Sequence, residues 1–318
     1  MRLSFLGLTL GLLAGGVGCG DSVNNTPDAA GFKGYDADEG GEVRIEYIKF
    51  AAGVTGAGQP ASIGTRIVAY LYKTAGSKKF FPFVALTGCT NMMLPNPINW
   101  PMATNPLAER TYLDPGTITV EGGGTSPTTP LTLPRKTDMG PDFLARQHSP
   151  NKWFFYLNPS DGTQYLSAQH AHTVKFSGSS ELPAQTFKDA FYMPADFQLT
   201  TPDAGPVSLK AGTALTLNWT TPDTGAAAPP PGTTVVSLAA FTGADGPVVI
   251  CVQAPNTGSI TVPANMVDVV RAKYPAGGVI ARQTFTHVPK ELVDNNGPTG
   301  RRIDFITTWC NAGLFTVN

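Results

Sequence analysis

The chain has 318 residues, of which 35 are glycine and 28 proline, with only 14% charged side chains and a formal net charge of -1. Each interior Gly costs a helix about 1 kcal/mol and each Pro about 3, so a helical bundle or coiled coil is excluded. Near-neutrality removes the electrostatic ground for nucleic-acid binding, and 17 Phe, 9 Tyr and 4 Trp exclude wholesale disorder, leaving a turn-rich β protein.

The first element reads as an export signal. Arg2 precedes the uncharged apolar run Leu3 to Val17, which is shorter than the roughly 20 residues a permanent membrane helix needs. The run ends at Gly16-Val17-Gly18-Cys19 and turns polar at once with Gly20, Asp21 and Ser22. Small residues before a cysteine at this distance resemble the lipobox of bacterial lipoproteins, with Gly16 standing where Leu is usual. The resemblance implies cleavage before Cys19, diacylglycerol on its thiol and acylation of the new N-terminus. Several acyl chains give the stable anchoring that one chain does not. The expectation is a signal peptide over 1–18, then lipidated Cys19 and a flexible linker to residue 42. Within that linker, Asp36-x-Asp38-x-Gly40 has the start of a calcium loop but lacks its closing Glu, and reads as solvated chain.

From Glu42 the pattern becomes β. VRIEYIKFA (43–51) alternates apolar and polar residues, the period of a half-buried strand. TRIVAYLYKT (65–74) and KFFPFVALTG (79–88) follow as strands, then an irregular Pro-rich loop over 90–110 carrying Met92, Met93 and Trp100. Strands resume at GTITVEGG (116–123), KWFFYL (152–157), HAHTVKFSG (170–178) and QTFKDAFYMP (185–194), interrupted by a second Pro-rich loop, Thr125 to Pro150. Long irregular loops inside a compact domain are where binding is sought.

Near Ala195 a second module begins, with strands in FQLTTPDAG, VSLKAGTALTLNWTTP, TTVVSLAAFTG, GPVVICVQAPNTGSITVPA, GGVIARQTFTH and RIDFITTWCNAGLFTVN. A Pro-rich spacer occupies 222–231, and the strand rhythm is that of a β-sandwich. One short helix is expected over Asn265 to Tyr274, where Met266, Val269, Val270 and Tyr274 share a face. The segments YLDPGTITVEG (112–122), LTLNWT (215–220) and VVICVQAPNTGSITVPANMV (248–267) resemble a group of uncharacterised bacterial lipoproteins with immunoglobulin-like sandwich domains. That resemblance implies a fold and a compartment, without an activity. The expected architecture is all-β, two immunoglobulin-like β-sandwich domains over 43–195 and 196–318.

The cysteines are 19, 89, 251 and 310. With Cys19 lipidated, an odd number remains for an oxidising compartment. A Cys251–Cys310 bridge would close a loop within the second module and is the first expectation; Cys89 paired with either, or no bridge, are the alternatives.

Candidate chemistry is sparse. His170 and His172 stand at i, i+2, so on a strand both face one side, but neither His148 nor His287 supplies a third ligand at telling spacing, and no metal or cofactor is expected. No Gly-x-Ser-x-Gly elbow occurs, and Ser177 and Ser179 read as turn residues. Asp114, Asp138, Asp142 and Asp161 lie in Pro/Gly loops, where Asp makes turns. Trp100 is a candidate sugar contact, Trp153 to Tyr156 and Trp219 read as core. The expectation is a non-enzymatic, lipid-anchored structural or interaction (adhesion-like) module of the envelope, on the outer membrane, periplasmic or surface-facing. Its partners would be the membrane and an envelope protein or polysaccharide, with no nucleic acid. The competing class is a carbohydrate-binding or metal-dependent hydrolytic protein with a site in the first domain's loops.

Overall fold

A computed structural model describes residues 39–54, 57–74, 88–91, 110–122, 130–133, 153–158, 170–192, 199–201, 206–219, 234–243, 246–253, 258–294 and 297–318. The signal segment, Cys19, Asp36 and Asp38, the expected strand over 79–88 apart from Gly88, and the spacer 222–231 lie outside the described residues. So do Met92, Met93, Trp100, Asp138, Asp142, His148 and Asp161.

In chain order the first half contains β1 Glu39–Phe50, β2 Ser62–Thr74, β3 Gly88–Asn91, β4 Arg110–Leu113, β5 Ile118–Glu121, β6 Leu131–Leu133, β7 Trp153–Asn158, β8 Ala171–Phe176 and β9 Gln185–Tyr192. The second half contains β10 Leu199–Thr201, β11 Val207–Leu209, β12 Leu215–Trp219, β13 Thr234–Gly243, β14 Gly246–Gln253, β15 Ser259–Val262, the helix α1 Ala264–Lys273, β16 Gly278–Asp294 and β17 Gly297–Val317. The fold is all-β and sandwich-type, as the composition and alternation required. The helix falls one residue from its expected place and buries Val267 and Val270. The expected linker is shortened at its end, because β1 begins at Glu39.

One ten-stranded sheet organises the molecule, running β3-β14-β13-β16-β17-β1-β2-β4, with β7 also on β2 and β11 also on β17. Its centre is the long β16–β17 hairpin, antiparallel from Gly278 opposite Phe315 to Asp294 opposite Gly297. Against the other edge of β17 lies β1, parallel, in register from Gly40 opposite Arg302 to Phe50 opposite Ala312. A parallel pair needs a long crossover, and here almost the whole chain supplies it. The boundary expected between 195 and 196 therefore does not separate two sets of sheets: strands from both sides of it are interleaved in one. Pro289 is accommodated because it lies beyond the β13–β16 ladder, which ends at His287, so no donor is needed on that side.

Two smaller sheets cover one face, called here the inner face. The first is β6-β5-β8-β9 and the second β10-β12-β15. Alternation decides what each contributes. Val174 and Phe176 of β8, Ile118 and Val120 of β5, and Leu217 and Trp219 of β12 are buried in the same core as Val43, Ile45, Phe305 and Phe315 of the large sheet. Phe305 meets Phe187 and Phe191, each at 5.2 Å between ring centroids, which docks the first small sheet. Tyr274, at the end of α1, meets Phe315 at 6.5 Å at the other end. The opposite face of the large sheet has its own cluster, including Leu238, Ile250, Ala281, Ile306 and Cys310. With apolar side chains on both faces, most described positions in the middle of the central strands are buried.

Candidate functional site

The turn residues singled out by sequence hold the scaffold. Asp114 Oδ1 accepts from Gly116 N at 2.8 Å, Ser177 Oγ accepts from Thr117 N at 2.7 Å, and Ser179 Oγ donates to Asp114 O at 2.6 Å. Gly116 sits at φ 77°, and a Cβ there would run into Gly178 O and Ser177 Oγ, so only glycine fits this interlocked pair of turns. Trp219, expected in the core, is 6% exposed there. Trp153 to Tyr156 lie on β7, paired with β2.

The histidine pair does not converge. β8 begins at Ala171, so His170 precedes it and is exposed, while His172 points into the core with Val174 and Phe176. Burial lowers the His172 pKa from 6.5 to about 4; backbone hydrogen bonding at His170 and Phe191 opposes this, and the charge of His170 adds to it. A neutral, enclosed imidazole beside an exposed one is a core residue with a surface neighbour. His287 instead meets Asp304, Nε2 to Oδ1 at 2.6 Å, on the outer face of the hairpin. Among the described residues no three His, Cys, Asp or Glu gather where they could hold a metal ion.

The cysteine expectation is corrected. Cys251 is bridged to Cys89, and Cys310 is buried and takes no part in a disulfide among the described residues. The cause is register and facing. β14 pairs with β3 so that Cys251 and Cys89 stand opposite each other. Cys310 is three strands away, across β13 and β16 to β17, a span of about 14 Å at 4.8 Å per strand. It also points into the outer cluster, whereas Cys251 points into the inner one.

The sequence reading missed a polar band inside the sandwich. On the inner face of β16 stand Arg282, Thr284 and Thr286; opposite them on β17 are Asn311, Trp309 and Thr307. Ser237 of β13 is opposite Thr284, and Tyr47 and Lys49 of β1 are opposite Trp309 and Asn311. Apolar rows flank the band: Phe241, Ile280 and Phe315 at one end, Phe305, Val43 and Ile303 at the other. It thus lies between two apolar stretches of the same face.

Thr286 Oγ1 donates to Tyr192 O at 2.7 Å. In contrast, Arg282 Nε and Nη1, Thr284 Oγ1, Thr307 Oγ1 and Trp309 Nε1 are buried without a hydrogen-bond partner. Arg and Trp side chains can only donate, so the band is rich in donors. Burial lowers the Arg282 pKa to about 10, with Cys310 opposing, and the guanidinium remains charged at neutral pH. Its signal in the sequence was Arg-x-Thr-x-Thr followed later by Thr-x-Trp-x-Asn, polar residues at period two. Alternation marks such a row as one face of a strand and leaves open whether water or protein covers it.

No protein-family model matches the chain, and no curated protein matches it.

Proposed function

We propose that the chain is an exported protein anchored to the cell envelope by lipid on Cys19, and that it acts as a non-catalytic structural or interaction module. The observation that carries this reading is the charge-free run from Leu3 to Val17, ending at small residues and Cys19 and followed at once by polar sequence. The Cys89–Cys251 bridge supports export, since such bonds form and persist in oxidising compartments and are rare in the cytosol. A disulfide-stapled β scaffold, tied at its turns by interlocked side chains, suits a body that holds a binding surface away from the membrane. The outer membrane, facing the periplasm or the surface, is the proposed location, and an envelope protein or polysaccharide the proposed partner.

The test is the intact mass of the processed chain beside its Cys19→Ala form. The expected result is cleavage before residue 19 with acyl and diacylglycerol mass on Cys19, and an alanine form released from the membrane fraction. An N-terminal fragment of unmodified mass would overturn the anchor. Affinity capture of the anchored protein from its own envelope, with the alanine form as control, then tests the interaction role. Recovery of nothing specific would remove it.

A further inference from the structure

We infer that the Cys89–Cys251 bond is a redox-sensitive latch: a dithiol reduces it in the folded protein by attack on Cys89, and reduction releases β3 from β14 while the rest of the large sheet stands. The two sulfurs are placed differently. Cys251 lies within β14 and is fully buried in the inner core. Cys89 is half-buried beside the exposed Gly88, its Sγ 3.7 Å from Thr261 O of β15. Exchange depends on which sulfur an incoming thiolate can reach, and solvent leads to Cys89. In the first step the thiolate bonds to Cys89 Sγ, the Cys89–Cys251 bond breaks, and Cys251 leaves as a thiolate that takes up a proton. In the second, the other thiol of the same dithiol loses its proton and attacks its partner sulfur in the mixed disulfide. Cys89 then leaves and is protonated. Two electrons and two protons pass to the protein, and the dithiol departs as a disulfide.

What the bond holds is a short strand. β3 has four residues and, among the described residues, ends the ten-stranded sheet on β14. Gly88 brings no side chain to it, and Cys89 is the residue that packs against the inner core. Fixing a residue's backbone costs as much conformational freedom as a hydrogen bond at a sheet's end returns, or more, so a strand of this length leans on its covalent tie. β14 is held independently. It pairs with β13 from Ser237 opposite Gln253 to Gly243 opposite Gly246, and buries Val249 and Cys251 on one face and Ile250 and Val252 on the other. Opening is therefore confined to β3, a local event of the kind that short, solvent-facing segments undergo without global unfolding. The latch rests on the bond's position in the sheet and is independent of lipid on Cys19.

The experiment treats the full processed chain with dithiothreitol in native buffer, samples it over time into iodoacetamide, and maps the alkylated cysteines by mass. Cys310 is buried in the outer cluster, so its alkylation reports opening of the whole fold. The expected result is alkylation of Cys89 and Cys251 at least tenfold faster than of Cys310. With 2-mercaptoethanol, a monothiol, the adduct is expected on Cys89 and the alkyl group on Cys251. Hydrogen exchange then compares oxidised and reduced protein: the amides of β14 should exchange at least tenfold faster after reduction, while those of the β16–β17 hairpin keep their protection. The proposal is overturned if the bond resists dithiothreitol without denaturant, if all three cysteines are alkylated at one rate, or if the monothiol adduct sits on Cys251. It is equally overturned if β14 exchanges unchanged after reduction, or if the hairpin loses its protection along with β14, which would make the bond a staple of the whole fold.

Discussion

Replacing Cys89 and Cys251 together by alanine removes a covalent tie between residues 162 apart in sequence. In the chain-entropy treatment, the unfolded chain then regains the freedom of a loop of that length, which amounts to about 5 kcal/mol at 25 °C. Strain and residual structure in the unfolded state usually reduce the measured figure, so this is the ceiling. Urea unfolding followed by tryptophan fluorescence reads it directly. With a slope of about 3 kcal/mol per molar, the midpoint falls by up to roughly 1.5–2 M. Cys310→Ala is the control. That thiol is buried and takes no part in the bridge, so its loss removes one sulfur from the outer cluster and shifts the midpoint far less. A non-reducing peptide map accompanies the measurement and is expected to join the peptides containing 89 and 251. The reasoning is refuted if the map joins 251 to 310, or if Cys310→Ala destabilises as much as the double replacement. Either outcome would mean that β3 does not pair with β14 in the stated register.

Other predictions concern packing, the turn and titration. Phe305→Ala empties the contact between the large sheet and β9, a side chain 1% exposed against two rings, and is expected to cost about 3–5 kcal/mol in urea unfolding. Phe305→Leu, which keeps most of the volume, should cost under half of that. Gly116→Ala meets both positive φ and backbone collision, whereas Gly58→Ala meets only the positive φ, with nothing within 4 Å. The first should therefore destabilise clearly more than the second, whose strain is of order 1 kcal/mol; equal losses would discredit the interlocked turn. His172 gives a pH signature. The unfolded chain binds its proton near pH 6.5 and the folded chain only near 4, so stability is full above 6.5 and is lost as pH falls through that window. The loss is about 3 kcal/mol at most. His172→Gln should flatten this part of the profile relative to wild type, and an unchanged difference between pH 7 and pH 4 would count against the buried imidazole.

How much was legible in the sequence depended on whether the feature was local. The alternation in VRIEYIKFA identified β1 because every second side chain meets the core, and Val43 and Ile45 are indeed fully buried. The spacing of Met266, Val269, Val270 and Tyr274 identified α1 for the same reason at period 3.6. Asp114, Ser177 and Ser179 were legible as turn residues because their chemistry is local hydrogen bonding. Arg44, by contrast, looked like the solvent side of a strand, yet it is 5% exposed, opposite Ile306 on the face that carries the second apolar cluster.

The same division separates what sequence alone determined from what needed the tertiary structure. Sequence determined the β class, the positions of most described strands and the helix, since each rests on residues within one short window. Only the tertiary structure decided that β1 pairs with β17 rather than closing a separate domain, that Cys251 meets Cys89, and that Arg282, Asn311 and Lys49 form one row. A strand's period states which side chains share a face; it carries no information about which other strand will lie beside it. Partner and register are settled by the burial of the whole core, and contacts between the two ends of the chain are set there.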